Sequence, residues 1–344
     1  MEKKVLVTGG TGYIGNWVVK ELLEKGYTVR ITVRDKSQTQ KYRHLLDLAK
    51  ETDGELEVSE ANLLSEGSFD EPAGGCSAVI HIASPFTLRF RDAKKDLIDP
   101  ALNGTRNVLN AATRAGSVKK IVLTSSVAAV HGDAIDMKEQ GLDEFTEEHF
   151  NETSAPDHQP YSYSKVLAEK EAWKMAAEQE QWKLVVINPS FVVGPSLTET
   201  SDSESLNFMK DMLTGKYKTG APELWFGWVD VRDAAHAHVL ALESSKAEGR
   251  HILAERTMSV LKVAEILKDQ FGDKYKLPSG KIPKWLMYLV GPFLGLKARY
   301  IKRNVGYPIR LNTEKSRESL GLTYRPISES LRDMVRQMHE LNLL

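Results

Sequence analysis

The chain has 344 residues, 41% hydrophobic and 27% charged, the balance of a globular protein long enough for a large domain with a smaller lobe. A formal net charge of −1 carries no basic footprint for nucleic acid or an anionic membrane surface. The single cysteine, Cys76, excludes an intrachain disulfide and a cysteine-cluster metal site and fits a reducing cytoplasm; no metal is expected.

In chain order, short β-branched runs alternate with helix-period segments. Strands are expected at 4–8, 28–33, 56–59, 78–82, 120–124 and 183–188, with helices at about 14–25, 38–51, 93–115 and 161–180. Strands separated by helices of this length imply βαβ units: an α/β, doubly wound parallel sheet of Rossmann type. After residue 188 the rhythm breaks. Pro189, the Gly194-Pro195 pair and the run TETSDSES signal loops. Helices at about 204–214, 233–244, 259–271 and 328–341 then predict a smaller, mainly helical C-terminal lobe. The expected division is a nucleotide-binding domain over 1–188 with a returning segment at about 226–254, and a substrate lobe over 189–225 and 255–344. The longest apolar run, WLMYLVGPFLGL at 285–296, is too short to span a bilayer. It is read as a helix and turn in the lobe's core rather than as a membrane-surface patch. No membrane or nucleic-acid partner is expected, and the chain is expected to be a monomer or homodimer in the cytoplasm.

The stretch VLVTGGTGYIG sets Gly9, Gly12 and Gly15 directly after the first strand and at the start of a helix. Glycines there permit a tight turn and close backbone approach to a pyrophosphate, whose charge sits at the helix N-terminus. Thr11, Tyr13 and Ile14 belong to the same turn. The second strand ends in TVRDK. Arg34 stands about 20 residues past the loop, where a carboxylate would hold the ribose of NAD, and its guanidinium fits a 2′-phosphate. Asp35 is the alternative if the strand ends one residue later. NADP is therefore favoured over NAD.

The fifth strand ends in TSS, which places Thr124, Ser125 and Ser126 at the carboxyl end of a parallel strand, beside a bound cofactor. In YSYSK, Tyr161 and Lys165 share one helical face at i,i+4, whereas Tyr163 is rotated off it. A phenol with a pKa of about 10 is a poor proton donor near neutrality. A neighbouring ammonium and a cationic nicotinamide are expected to lower it. Ser126 would hydrogen-bond the substrate oxygen as Tyr161 exchanges its proton. The alternating charges along this helix are read as a solvated face, and His81 as a hydrogen-bonded core histidine.

With these motifs, and with VIHIASPF, DPALNGTRNVL, YSKVLAEKEAW, NPSFVVGP and VDVRDAAHAHVLALE in order, the chain resembles the extended short-chain dehydrogenase/reductase family. Within it, the similarity is to the dihydroflavonol 4-reductase, cinnamoyl-CoA reductase and yeast methylglyoxal (aldehyde) reductase group. The resemblance implies Tyr161 as proton donor, Lys165 as ribose anchor and phenol activator, and Ser126 as the carbonyl-orienting residue. It implies 2′-phosphate contacts from Arg34 and Lys41, and an adenine contact at Asn62-Leu63. Backbone contacts from Ile82, Ala83 and Ser84 would run along the cofactor, and Pro189, Ser190 and Val192 would flank the nicotinamide.

His131 matches a substrate-contacting position of the flavonoid reductases. With Phe86, Tyr163, Phe191, Phe208 and Trp225 it would form a pocket for a hydrophobic aldehyde or ketone. The expectation is an NADPH-dependent carbonyl reductase. The alternatives are a steroid dehydrogenase or sugar-nucleotide epimerase of the same superfamily, or a non-catalytic NADP-sensing module.

Overall fold

Valine- and isoleucine-rich runs without alternation belong in strands covered on both faces. In the structure, a computed structural model describing residues 3–84, 91–198 and 203–344, most of them pair in one large sheet. The described strands are β1 (Lys4–Thr8), β2 (Thr28–Val33), β3 (Glu55–Glu60), β4 (Ala78–His81), β5 (Lys120–Thr124), β6 (Lys183–Pro189), β7 (Phe191–Val193), β8 (Trp225–Asp230), β9 (Gly249–Leu253) and β10 (Arg256–Ser259). The large sheet runs β3-β2-β1-β4-β5-β6-β9, parallel throughout. The strand order reverses between β1 and β4, so the crevice beyond their carboxyl ends is where such a fold binds ligands.

The helices of the first part are α1 (Tyr13–Glu24), α2 (Arg43–Lys50), α3 (Asp70–Ala73), α4 (Asp99–Ala115), α5 (Asp136–Glu139) and α6 (Pro160–Ala177). The expected helix over 93–115 begins as a π-helical turn at Lys94–Ile98 and becomes regular only from Asp99, where Pro100 sits in the first turn.

The C-terminal part carries α7 (Glu204–Leu213), α8 (Val231–Glu243), α9 (Val260–Phe271), α10 (Lys284–Val290), α11 (Ala298–Asn304), α12 (Glu314–Leu320) and α13 (Ile327–Glu340). Of the segment expected to return to the large sheet, α8 packs against α1, and β9 is the edge strand beside β6. β8 does not return. It pairs with β7 and β10 in a small three-stranded sheet, so the chain crosses over at Asp230–Val231. The cause is aromatic. Phe226 and Trp228 of β8 pack on Phe191 of β7 at ring-centroid distances of 5.9 and 4.8 Å, and that cluster seeds the second core.

The apolar run at 285–296 forms a helix and turn as expected, but not inside the core. On α10 only Met287 is fully buried, while Trp285, Tyr288, Leu289 and Phe293 are exposed. A continuous run of apolar residues does not reveal which side of its helix faces inward.

Candidate active site

The glycine turn joins β1 to α1 through backbone that side chains would obstruct. Gly9 has φ +70°, and a Cβ on Gly15 would lie 2.0 Å from the Gly9 carbonyl oxygen. A Cβ on Gly9 would meet the Ala83 backbone nitrogen at 2.8 Å, so the turns after β1 and β4 nearly touch. Helix α1 starts with Gly12 as N-cap, without a side-chain cap and without an acid in its first turn. Its free N–H groups and positive helix end fit a pyrophosphate. Thr11 is half-buried in this turn, and Ile14 packs on the core. The Tyr13 hydroxyl donates to the Gly194 carbonyl at 2.5 Å, tying the turn to the segment after β7. Burial holds that phenol well above its usual pKa and hence neutral.

At the end of β2, the two candidate ribose-end residues behave differently. The Asp35 carboxylate is spent on its own turn: Ser37 donates its backbone N–H and its hydroxyl to Oδ1 at 2.9 and 2.6 Å, and Gln38 donates to Oδ2 at 3.0 Å. These bonds hold its pKa below the usual carboxylate value. Arg34 and Lys41 are exposed and make no ion pair with any described residue. Asn62 accepts the Leu64 N–H at its Oδ1, and Leu63 lines an open cleft of about 390 Å³ with Asn103 and Asn107 of α4.

After β4, the Ile82 and Ala83 N–H groups donate to the Thr8 carbonyl, and Ser84 is half-buried. His81 is bonded through Nδ1 to the Thr8 hydroxyl at 2.7 Å, and burial lowers its pKa to about 3, a neutral core histidine.

The ends of β5 and β6 meet α6. The Thr124 hydroxyl is bonded to His238 of α8 at 2.6 Å. The two serines separate. Ser125 is buried and donates to Glu169 Oε2 at 2.5 Å, whereas Ser126 is half-buried and hydrogen-bonded to Tyr161. Lys165 Nζ stands 5.8 Å from the Tyr161 ring centroid. Tyr161, Lys165 and Glu169 follow at intervals of four and occupy one face of α6.

The expected lowering of the phenol is not what the protein groups produce. Desolvation raises Tyr161 to about 12, opposed only by the Ser126 hydrogen bond. Desolvation also lowers Lys165 to about 8, opposed by the Glu169 charge.

Glu169 is where the sequence reading of α6 as a solvated face fails. It is 1% exposed and carries Arg250 of β9, itself 6% exposed, at 2.5 Å from Nε to Oε1. Asn188 of β6 donates to Oε2 at 2.8 Å and, from the same amide, to the Ser126 carbonyl at 3.1 Å. The Arg250 guanidinium also donates to the carbonyls of Glu147, His149 and Ala129 and lies 4.0 Å over the Phe150 ring. The available signal was the i+4 continuation beyond Lys165. A second feature lies at the start of α6, where Gln159 adopts φ 57°. Its side-chain amide donates to the buried Asp133 at 2.8 Å, and Arg303 of α11 binds the same carboxylate.

The expected pocket residues fall into two groups. Phe191 and Phe208 pack at 5.2 Å in the aromatic core of the small sheet. His131 stacks on Phe145 at 4.9 Å, in a cluster that Trp225 also joins. Burial lowers His131 to about 4. Tyr163 belongs to neither group, and Phe86 lies outside the described residues. Pro189 ends β6, Val192 lies on β7, and Ser190 between them is buried. The Ser190 hydroxyl and the Trp225 indole N–H are buried without a hydrogen-bond partner among the described residues. A buried polar atom of this kind is ordinarily satisfied by an ordered water or a bound molecule.

The profile of the NAD dependent epimerase/dehydratase family matches residues 5–254. A cinnamoyl-CoA reductase of Medicago truncatula is 40% identical, covering 98% of this chain and 95% of that protein. An anthocyanidin reductase of Vitis vinifera is 37% identical over 81% of this chain and 83% of its own. Among solved structures, Gre2 of Candida albicans in complex with NADPH superposes with a TM-score of 0.80 at 31% identity, covering 98% of this chain and 99% of that one.

Removing the carboxylate charge with Glu169→Gln leaves Arg250 buried and unneutralised. The expected cost is about 3–5 kcal/mol of stability. Urea denaturation measures it, and an unchanged midpoint would mean that the pair is solvated in solution.

Proposed function

The chain belongs to the NAD dependent epimerase/dehydratase family of extended short-chain dehydrogenases/reductases, and on that premise we propose that it is an NADPH-dependent carbonyl reductase converting a hydrophobic aldehyde or ketone to the alcohol. The observation that carries this reading is the hydrogen-bonded pair Ser126–Tyr161 with Lys165 on the same helical face. Cinnamoyl-CoA reductase, anthocyanidin reductase and the NADPH-bound Gre2 support the reaction class and the cofactor. The uncapped start of α1 and the crowded glycine turn fit the pyrophosphate. Arg34 and Lys41 are free for a 2′-phosphate, while Asp35 is occupied by its own turn. Epimerase or dehydratase chemistry is disfavoured because Val127-Ala128-Ala129, with no acid, follows Ser126.

When bound, NADPH supplies the hydride. The Ser126 hydroxyl donates a hydrogen bond to the substrate oxygen and holds it against Tyr161. Tyr161, kept protonated by burial, gives its phenolic proton to that oxygen as negative charge develops on it. Lys165 stabilises the resulting phenolate with its ammonium charge, and Glu169 favours that charge from the opposite side. Ser190 and Trp225 offer unsatisfied donors to a polar group of the bound molecules, and the neighbouring aromatic clusters supply an apolar wall.

Three outcomes follow. Tyr161→Phe should lower kcat by at least about 100-fold with little change in NADPH affinity, measured by loss of NADPH absorbance over a panel of aldehydes, ketones and dihydroflavonols. Near-normal turnover would refute the assignment. Lys165 has its pKa depressed to about 8, so its ammonium is present below that pH and lost above it. The rate of reduction should therefore hold through neutrality and fall as pH rises past about 8, and a profile still flat at pH 10 contradicts the role. Arg34→Ala should raise the KM for NADPH about ten- to a hundredfold, the worth of a charge-assisted hydrogen bond, and leave that for NADH nearly unchanged.

A further inference from the structure

The outward face of α10 and of the turn after it is left uncovered by the described residues. Trp285, Tyr288, Leu289 and Phe293 are 68%, 41%, 63% and 91% exposed. On α10, Tyr288 and Leu289 lie three and four residues after Trp285 on one face, opposite the buried Met287, and Phe293 is exposed on the turn that follows. Scattered exposed hydrophobics are ordinary, but four large ones on a single short helix and its turn form a patch.

The charge around this patch is one-sided. Residues 274–313 contain nine lysines or arginines and no aspartate or glutamate. Since the chain holds 46 basic and 47 acidic residues, the remainder carries 37 against 47. The near-neutral total thus hides a cationic segment on an otherwise acidic protein. Helix α11 packs against α10 and the turn, so the two halves of the segment are neighbours in space. Lys276, Lys297, Arg299 and Lys302 are exposed and make no ion pair with any described residue. Arg303 and Lys281 are paired, with Asp133 and Glu223 respectively, and Lys284 is turned onto the carbonyls of Lys302 and Val305.

Tryptophan, tyrosine, leucine and phenylalanine on one side, with the exposed cations Arg299 and Lys302 on the adjoining α11, form the arrangement that rests in a lipid headgroup region. The apolar side chains enter the acyl boundary while the cations meet anionic headgroups. A second copy of the chain is a poorer occupant. An isologous contact through this face would bring like-charged rims together.

We propose that this face binds the surface of an anionic membrane, holding the protein peripherally with α10 in the plane of the interface. No helix of the described residues is long and apolar enough to cross a bilayer, so the attachment is superficial and reversible. The reading is independent of the proposed reaction.

Vesicle co-sedimentation of the full chain tests it. Vesicles of phosphatidylcholine with about one third phosphatidylserine should retain the protein at least about tenfold better than phosphatidylcholine alone, and high salt should weaken that retention. Two variants separate the contributions: Trp285→Ser/Leu289→Ser/Phe293→Ser, and Lys297→Glu/Arg299→Glu/Lys302→Glu. Each should lower partitioning at least about tenfold. Both leave Met287 and Ile301 in place, so an unchanged thermal midpoint is expected as the control for folding. Equal retention by the two lipid mixtures overturns the proposal, as does binding that the serine variant leaves intact. A dimer in sedimentation velocity that the serine variant dissociates, without vesicle binding, would assign the face to self-association instead.

Discussion

The Glu169 carboxylate lies between α6 and the ends of β5, β6 and β9, and donors from each of these strands converge on it: Ser125, Asn188 and Arg250. An ionised group out of reach of water is tolerated only when such partners replace its hydration. Four elements must therefore arrive together, and none can slide without exposing a charge to apolar surroundings. Because α6 rises about 1.5 Å per residue, fixing Glu169 also fixes Lys165 and Tyr161 one and two turns back. The alignment of Tyr161 with Ser126 follows from the neighbouring serine, Ser125, being held by the carboxylate.

The same burial sets the protonation states. Desolvation acts in opposite directions on an acid and a base, pushing Tyr161 up to about 12 and Lys165 down to about 8. Unopposed, it would discharge the lysine as well as keep the phenol protonated. Glu169 opposes the first effect alone, because it favours the ammonium and is two turns from the phenol. A protonated phenol beside a charged lysine is the state needed by the proposed proton donor. At the other end of α6, Gln159 holds a left-handed backbone that costs energy for a residue with a side chain. Its bond to Asp133, which Arg303 of α11 also grips, links the start of α6 to the C-terminal helices.

Much of this was legible in the chain itself. The six strands of the first half and the glycine turn were readable because each depends on local features: an apolar run, a glycine where no Cβ fits, a helix start. That Tyr161 and Lys165 share one face of α6 was readable because i,i+4 spacing survives any tertiary arrangement. Glu169 was not. Among alternating charges it looks like a solvated residue, and its partner Arg250 is brought beside it only when β9 docks on β6. β8 was misplaced for a related reason. Its membership of the small sheet rests on its Phe226 and Trp228 meeting Phe191 and Phe208, aromatic residues brought beside it only by the fold.

The apolar run around α10 illustrates the opposite failure, in which a local pattern is clear and its environment is not. Hydrophobic composition gave the helix correctly, yet Trp285 and Phe293 face outward because the underlying core is already filled by Met287 and Ile301. Net charge misleads in the same way. A total of −1 is a sum over the whole surface, whereas at physiological salt charges further away than the Debye length of about 8 Å are largely screened. A surface approaching within that distance meets the local cations of residues 274–313, not the total. What the protein can dock against is therefore decided by where its charges lie, and that placement comes from packing α11 against α10.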